Sequence, residues 1–311
     1  MGTQAKYLFG PVPSRRLGLS LGVDVVPLKT CSQNCIYCQL GRHGQQTLER
    51  KSYVPAEAVL AELKQRLAEG LRADYITFSG SGEPTLNRDM GAMIDGIRAL
   101  TDIKVAIITN GTLLNDPEVR ADCRKADVVL PSLDAGDPET FEKINRPHEA
   151  IRFEAFVEGL CRFREEYAGP IWLEVFFLEG VNTGDDQIAR MHDLIGRIRP
   201  DRVQLNTAVR PTAEANVAAV GEARLGAIAD KLGLNAEVIA DFSRPPEPAG
   251  AAQTAGRIVE MLQRRPCSLE DIRQGLGVNA GLAVKHLDRL IASGRVRTQH
   301  RDGKTFYVVP A

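Results

Sequence analysis

Short apolar segments typical of β-strands alternate with helical segments over residues 20–206, and this alternation limits the possible folds more than any other feature of the chain. The strand segments are residues 20–27, 75–79, 104–109, 127–133, 171–178 and 202–206. Alternation of this kind favours a parallel sheet with right-handed crossovers. Six such units predict the α/β class and a partial (β/α)6 TIM-like barrel. A Rossmann-like sheet is the alternative, but no GxGxxG motif follows the first strand.

Polar residues or glycine follow most of these strands at the end where parallel α/β barrels carry their chemistry. Cys31 follows the first segment, Gly80 the second, Asn110 the third and Asp134 the fourth, while Asn206 ends the sixth. We therefore expect the functional site at the carboxyl ends of the strands.

Three cysteines, Cys31, Cys35 and Cys38, lie within eight residues in the segment CSQNCIYC, called here the cysteine loop. A loop this short can place three sulfurs around one compact centre, and thiolates favour iron–sulfur clusters or zinc. A Cys3His zinc site with His43 is an alternative, because structural zinc takes four ligands. A disulfide is a weaker one, since nothing in the chain indicates secretion. We expect the other cysteines to be structural; they are Cys123, Cys161 and Cys267.

A second motif, GSGEP at residues 80–84, follows the second strand and is called here the glycine loop. Its glycines let the backbone approach a ligand closely, its proline stiffens the exit, and its glutamate offers a carboxylate. Taken alone, such a segment is an ordinary glycine turn. The same alternative applies to Asn110 in TNG and to Ser132 and Asp134 in SLD, since Asn and Asp favour turns at strand ends.

These motifs, in this order, resemble those of the radical SAM superfamily over residues 8–245. The cysteine spacing matches the CxxxCxφC signature, and GSGEP is similar to the family's GGEP motif with Ser81 in place of its first glycine. The resemblance implies a [4Fe–4S] cluster and S-adenosylmethionine (SAM) as cofactors, and an electron donor such as flavodoxin or ferredoxin. It further implies reductive cleavage of SAM to a 5′-deoxyadenosyl radical, which abstracts hydrogen from a substrate.

The resemblance also implies roles for individual residues. The cluster ligands would be Cys31, Cys35 and Cys38. The implied SAM-binding residues are Gly80, Ser81, Gly82, Glu83, Asn110, Ser132 and Asp134. Glu174 and Asn206 are weaker candidates, Glu174 because a charge that points into a barrel needs a partner.

The segments GPVPSRRLG at residues 10–18 and NRP at 145–147 resemble a subgroup of iron–sulfur oxidoreductases whose core is similar to the tRNA wyosine-synthesis enzymes. Prolines forbid a regular helix over residues 8–16. Two alternatives remain open for this segment. It is either a surface arm with Arg15 and Arg16 solvated, or a lid whose arginines meet an anionic substrate or the SAM carboxylate.

The pattern changes after residues 244–250, RPPEPAG, which are typical of a linker. Helices over 253–263 and 280–292, a middle helix capped by Ser268 with Asp271, and a hairpin around Asp302-Gly303 predict a winged helix. We therefore predict two domains, a radical SAM partial barrel over residues 1–245 and a winged-helix domain over residues 251–311.

The second domain holds ten basic and five acidic residues, although the net charge of the whole chain is −1. This balance favours an anionic partner. The basic candidates are Lys285, His286, Arg289, Arg295, Arg297, Arg301 and Lys304. We expect RNA presented to the barrel, or a peptide docked by strand addition; a solvated charged face is the alternative. A function of a different class is a non-catalytic nucleic-acid-binding regulator, with the cluster or a zinc ion as sensor or staple.

Composition is ordinary for a soluble globular protein, with 43% hydrophobic and 25% charged residues. The sequence has no signal-peptide pattern and no long uncharged apolar run. We therefore expect a cytoplasmic protein without a membrane partner.

Overall fold

The computed structural model describes residues 7–40, 44–209, 212–214, 216–239, 254–276, 280–301 and 304–310. The strands before residue 240 are β1 (Leu8–Ser14), β2 (Gly18–Val23), β3 (Tyr75–Phe78), β4 (Lys104–Thr109), β5 (Val128–Pro131), β6 (Trp172–Phe177), β7 (Arg202–Thr207) and β8 (Ala236–Val238). The helices there are α1 (Ala56–Ala68), α2 (Met90–Leu100), α3 (Pro117–Cys123), α4 (Pro138–Asn145), α5 (Phe153–Glu166), α6 (Asp185–Ile198) and α7 (Glu222–Leu232). A short 3-10 helix spans Pro84–Leu86.

The strands form one curved parallel sheet with an antiparallel edge. One five-stranded part has the order β1-β2-β3-β4-β5, and a three-stranded part has the order β6-β7-β8. Only β1 runs antiparallel to its neighbour within these two parts. Parallel bridges from Val129 to Ile171 and from Ser132 to Glu174 join the two parts. The predicted α/β class and parallel sheet are confirmed, and the strand order is consistent with a partial barrel.

The amphipathic helices cover this sheet because each turns one apolar stripe toward it. In α6 the buried residues are Ile188, Met191, Ile195 and Ile198, at spacings of three and four. Asp185 and Asp186 lie in its first turn, where they complement the positive end of the helix. The sheet and the helices α1–α7 share one continuous apolar core.

The amino-terminal segment is a strand, and not the solvated surface arm considered from the sequence. Its prolines are tolerated because β1 is an edge strand, and the pairing of β1 with β2 shifts between Phe9 and Val12, where Gly10 and Pro11 lie. β2 is also shorter than predicted and ends at Val23. The sequence analysis missed α4, although Asp137 caps it and Pro138 begins it, which is a recognised start signal.

The last part of the chain, called here the C-terminal unit, comprises the described residues from 254 onward. Its elements are α8 (Thr254–Arg264), β9 (Cys267–Ser268), α9 (Leu269–Leu276), α10 (Ala280–Ala292), β10 (Arg297–Arg301) and β11 (Lys304–Val308). The predicted cap is confirmed, since the Ser268 and Asp271 backbone N–H groups each donate to the other residue's side chain. β10 and β11 form an antiparallel pair, and β11 also pairs with β9. The predicted turn at Asp302-Gly303 lies outside the described residues.

The C-terminal unit has an apolar core of its own and packs on the edge of the sheet. That core includes Ile258, Ile272 and Leu287, and Val12 of β1 packs against it. None of the helices that the structure describes is long and apolar enough to cross a membrane.

Candidate functional site

A pocket of about 420 Å³ opens inside the sheet and is called here the barrel pocket. Side chains and backbone from the cysteine loop, the strand ends, the β1–β2 turn and the C-terminal unit line it. The lining residues used below are Arg15, Arg16, Cys35, Tyr37, Cys38, Gly80, Gly82, Ser132, Glu174, Phe176, Asn206, Met261, Arg264 and Arg265. The predicted site residues that do not line this pocket are Cys31, Ser81, Glu83, Asn110 and Asp134.

The cysteine loop is held on both sides by backbone hydrogen bonds. Cys31 N–H donates to the Gln45 carbonyl at 3.0 Å, and Ile36 N–H donates to the Ile144 carbonyl at 2.9 Å. The second contact seats the loop on the end of α4, the helix that the sequence analysis missed. The loop conformation is thus fixed by neighbouring parts of the chain and not by the sulfurs alone.

Two amides aim N–H groups at the sulfurs of this loop. The Asn110 Nδ2 lies 3.5 Å from Cys31 Sγ, and the Asn145 Nδ2 lies 3.5 Å from Cys35 Sγ. Burial, and after it the charge of Glu83, raise the pKa of Cys31 to about 12. Burial, followed by the nearby Cys31 and Cys38, also raises the pKa of Cys35. Free thiols here stay neutral, and a bound metal centre is the kind of group that stabilises their thiolate forms.

The donor set fits an iron–sulfur cluster better than a single metal ion. Within the described part of the chain, no three His, Cys, Asp or Glu side chains gather closely enough to hold one ion. A four-iron cluster does not require this, because each cysteine binds a different iron atom. His43, the fourth ligand of the zinc alternative, lies outside the described residues.

The glycine loop is pressed between two other segments. A Cβ atom built on Gly80, whose φ is +134°, would lie 2.8 Å from the carboxylate carbon of Asp24. One built on Gly82 would lie 1.9 Å from the Thr30 carbonyl oxygen, and Thr30 pairs with Gly82 in a parallel bridge. We expected these glycines to allow a ligand to approach. In the structure the closest approach at Gly82 is by the chain immediately before the cysteine loop.

The Glu83 carboxylate is turned away from the pocket and ties the glycine loop to the end of β4. It is 2% exposed and accepts hydrogen bonds from Thr109 Oγ1 at 2.6 Å and from Asn110 N–H at 2.7 Å. Thr85 donates to it through both N–H and Oγ1. Burial raises its pKa, and these hydrogen bonds oppose that rise. The contacts of Glu83 therefore indicate a positioning role for its side chain.

Asp134 is also buried, and it holds the aromatic residue of the cysteine loop. Its carboxylate accepts hydrogen bonds from the Tyr37 hydroxyl, from Asn145 Nδ2 at 2.7 Å and from Phe176 N–H at 2.8 Å. Burial raises its pKa to about 6, although these hydrogen bonds lower it. The Tyr37 ring stacks on Phe176 with centroids 4.0 Å apart, and both rings line the pocket. Ser132 is the SLD residue that reaches the pocket.

Tyr37 and Asn145 belong to the site, and the sequence analysis did not select either as a site residue. Both carried a signal, since Tyr37 occupies the φ position of the signature and Asn145 begins the NRP segment. Sequence alone could not show that the two converge on Asp134.

A polar network crosses the other end of the pocket. The Arg16 guanidinium pairs with the Glu174 carboxylate, and both side chains are 13% exposed. Arg15 donates to Asn206 Oδ1 at 3.1 Å, and Asn206 Nδ2 donates to Glu174 at 3.0 Å. Glu174 therefore has the partner that a charge inside a barrel requires. These contacts contradict the solvated alternative for the two arginines.

The C-terminal unit contributes a wall of the pocket, which the sequence analysis did not foresee. Met261, Arg264 and Arg265 line the cavity from α8 and the residue after it. Arg301, predicted to contact nucleic acid, donates to Thr212 Oγ1 at 2.9 Å and to the Val217 carbonyl, so it attaches the hairpin to the rest of the chain. The side chains of Lys285 and Arg289 lie outside the described part of the chain.

Comparisons with known proteins give one matching family model and several similar proteins. A model of the radical SAM superfamily matches residues 25–195. The chain is 38% identical over 309 residues to a Brachyspira hyodysenteriae protein named GTPase Obg, covering 98% of this chain and 45% of that protein. It is 36% identical over 208 residues to a UPF0026 protein of Methanocaldococcus jannaschii, covering 66% of this chain and 64% of that protein. This chain thus spans less than two thirds of the length of each of these two relatives.

The fold also resembles a solved structure, that of TYW1 with a lysine–pyruvate adduct bound. The TM-score is 0.54 at 19% identity, and the match covers 73% of this chain and 76% of that chain. At this identity the likeness is one of fold.

Proposed function

The chain belongs to the radical SAM superfamily, since the family model matches more than half of its residues, and from this premise we propose its function. The protein is an enzyme that uses a [4Fe–4S] cluster and SAM to generate a 5′-deoxyadenosyl radical. This radical abstracts hydrogen from a substrate, for which RNA and peptide are the two candidates. An electron donor such as flavodoxin or ferredoxin supplies the reducing electron.

One observation carries the proposal, namely that the cysteine loop and the glycine loop are joined and face one cavity. Glu83 N–H donates to the Thr30 carbonyl at 3.0 Å, and Thr30 pairs with Gly82. Cys35, Cys38, Gly80, Gly82 and Ser132 line the same pocket. This juxtaposition supports a site that holds a cluster beside SAM.

We assign the cluster to Cys31, Cys35 and Cys38. A bound cluster supplies electrons for the reduction of SAM. The three cysteines are half-buried, and the amides of Asn110 and Asn145 are directed at the sulfurs of Cys31 and Cys35. Hydrogen bonds to sulfur and the degree of solvent exposure are two of the factors by which a protein sets a cluster's potential.

We assign SAM to the surface formed by Gly80, Gly82 and Ser132, next to Tyr37. Ser81, Glu83, Asn110 and Asp134 support this surface from behind. Glu83 fixes the glycine loop to β4, and Asp134 fixes Tyr37 against Phe176. The remaining space is lined by the polar network of Arg15, Arg16, Glu174 and Asn206. A substrate bound there meets hydrogen-bond donors and acceptors of these side chains.

We further propose that the chain has two domains, a partial barrel over residues 1–245 and a winged helix over residues 251–311. The separate apolar core of the C-terminal unit supports this division, and its three helices and hairpin support the winged-helix assignment. In this proposal the winged helix brings an RNA or peptide substrate to the barrel pocket.

The test is anaerobic reconstitution with iron and sulfide, followed by a SAM-cleavage assay with dithionite. We expect a brown protein with about four irons per chain and release of 5′-deoxyadenosine. A colourless protein that binds zinc and never cleaves SAM would disprove the proposal.

A further inference from the structure

The glycine loop depends on one buried carboxylate at the end of β2. Asp24 is 9% exposed and accepts hydrogen bonds from the N–H of Ser81, at 3.0 Å, and from its hydroxyl. Gly80 lies so close to Asp24 that no side chain fits between them. The position of this carboxylate therefore fixes the position of two successive residues of the glycine loop.

The cation that faces Asp24 comes from the C-terminal unit. Arg264, the last residue of α8, places its Nε atom 3.4 Å from Asp24 Oδ2, and its side chain is 12% exposed. Its guanidinium also lies over the ring of Phe9 in β1, 4.2 Å from the centroid. Arg264 and Asp24 are separated by 240 positions in the chain, so the contact joins the last part of the protein to the start of the candidate site.

This contact is held by charge more than by hydrogen bonding. The Arg264 Nε–H is buried and has no hydrogen-bond acceptor among the described residues. The guanidinium Nη1 donates instead to the Glu260 carbonyl at 2.8 Å, within the same helix. Burial raises the pKa of Asp24, and hydrogen bonds from Ser81 and the charge of Arg264 oppose that rise. Removing the Arg264 charge would leave a buried carboxylate held by hydrogen bonds from Ser81 and the Val26 backbone, without the positive charge that faces it.

We propose that Arg264 is a positioning residue for SAM, which acts through Asp24 on Ser81 and so couples the C-terminal unit to the glycine loop. The inference rests on the proposed function, since it assumes that the glycine loop binds SAM. Thermodynamic linkage then requires that SAM binding favours the docked position of α8. A partner that displaces α8 weakens SAM binding, and SAM weakens the binding of that partner by the same factor.

The test measures SAM binding to the reconstituted full-length protein by equilibrium dialysis. Arg264→Met should raise the Kd for SAM about tenfold, equivalent to about 1.4 kcal/mol, with the iron content unchanged. Arg264→Lys keeps the charge and should recover most of this loss. Arg273→Met is the matched control, because Arg273 is a half-exposed arginine of α9 that pairs with Glu270 and does not line the pocket. It should leave the Kd unchanged.

A double-mutant cycle separates positioning from simple packing. Asp24→Asn should also weaken SAM binding, and Arg264→Met should add little to it, because the buried charge that Arg264 compensates is then gone. Purely structural support by α8 would give effects that multiply, with no recovery by lysine. That result, or an unchanged Kd in Arg264→Met, would overturn the inference.

The outcomes distinguish this inference from the proposed function. If the wild-type protein does not bind SAM, the proposed function fails. If it binds SAM and Arg264→Met binds equally well, only the coupling fails. If Arg264→Met does not fold, Asp24→Asn provides the test. An unchanged Kd for SAM in Asp24→Asn would show that Asp24 does not position the glycine loop for SAM, and the inference would fail.

Discussion

The barrel pocket has two walls of different construction. In the strand-end wall, buried carboxylates are surrounded by hydrogen bonds, with Glu83 holding the end of β4 and Asp134 holding Tyr37. In the C-terminal wall, a unit with its own apolar core touches the cavity through Met261, Arg264 and Arg265. The first wall is part of the sheet, and the second is attached to its edge.

The difference suggests that the strand-end wall keeps one geometry, whereas the C-terminal wall can change its position. Side chains with several short hydrogen bonds keep one geometry, because leaving any buried donor or acceptor unpaired costs about 1–3 kcal/mol. The C-terminal unit meets the edge of the sheet through Val12 and through polar contacts of Arg264 and Arg301, so a shift of this unit leaves the core of the sheet intact. We therefore expect substitutions in the strand-end wall to have larger effects than those in the C-terminal wall.

The largest contrast is expected between cysteines of the two regions. Replacing any one of Cys31, Cys35 and Cys38 by Ala should abolish the brown colour and the bound iron after reconstitution, since no other cysteine lies on that loop. Cys267→Ala is the matched control, because Cys267 is fully buried in the core of the C-terminal unit. That variant should keep full iron content. Equal iron loss in the two regions would contradict the proposed ligand set.

The next contrast uses two glycines. Gly82→Ala would place a Cβ atom 1.9 Å from a backbone carbonyl oxygen, so one of the two joined loops must shift. We expect it to lower the free energy of unfolding by about 3 kcal/mol, measured by urea denaturation of the metal-free protein. Gly256 lies within α8 with no atom within 4 Å of such a Cβ. Gly256→Ala should raise the free energy of unfolding by up to about 1 kcal/mol.

This pair is decisive because both substitutions add the same single carbon. If Gly82→Ala is as stable as the wild-type protein, the two loops are not in contact in solution. If Gly256→Ala is strongly destabilising, the C-terminal unit is packed more tightly than the structure indicates.

A pH-dependent effect sharpens the description of the strand-end wall. Tyr37→Phe removes a donor to Asp134, whose pKa is raised to about 6. A raised carboxyl pKa contributes stability at low pH that is lost as the pH rises through that value. Loss of the donor raises the pKa of Asp134 further. The free energy of unfolding of the variant should therefore be lower than that of the wild-type protein above pH 6. We expect a difference of about 2 kcal/mol at pH 8 and a smaller one at pH 5.

Urea denaturation at the two pH values checks this expectation. Tyr53→Phe is the matched control, because the Tyr53 hydroxyl donates to the exposed carbonyl of Glu49. A loss of stability in Tyr37→Phe that is equal at both pH values would mean that the Asp134 carboxylate does not depend on this hydroxyl.

The two walls also differ in how far sequence could predict them. The strand-end wall follows from local patterns, because a polar residue after an apolar strand must lie at the carboxyl edge of a parallel sheet. Cys31, Gly80, Asn110 and Asp134 were found in this way. Which side chains face the cavity was not predictable, since Glu83 and Asp134 turn inward to hydrogen bonds whose partners come from distant segments.

The C-terminal wall depends on contacts that leave no local signal. The helices and hairpin of the unit follow from their own periodicity and caps, and their bounds were close to those observed. The docking of α8 beside Asp24 joins residues that are far apart in sequence, and nothing near Arg264 indicates it. The same holds for Arg301, whose basic charge favoured a nucleic-acid contact although its hydrogen bonds attach the hairpin to the chain.

The smallest expected effect tests whether the outer face of the C-terminal unit binds RNA. Arg297 in β10 is exposed, whereas Arg301 in the same strand is engaged by Thr212 and Val217. If the hairpin contacts phosphates, Arg297→Ala should weaken binding of the full-length protein to tRNA about threefold at low salt. The slope of log affinity against log salt should fall by roughly 0.7–0.9. Arg301→Met should leave that slope unchanged, because the guanidinium of Arg301 is directed at the chain.

An identical slope in the wild-type protein and in Arg297→Ala would exclude Arg297 from the interface. No binding of the wild-type protein to tRNA at low salt would instead leave a docked peptide or a solvated charged face as the two alternatives for this unit.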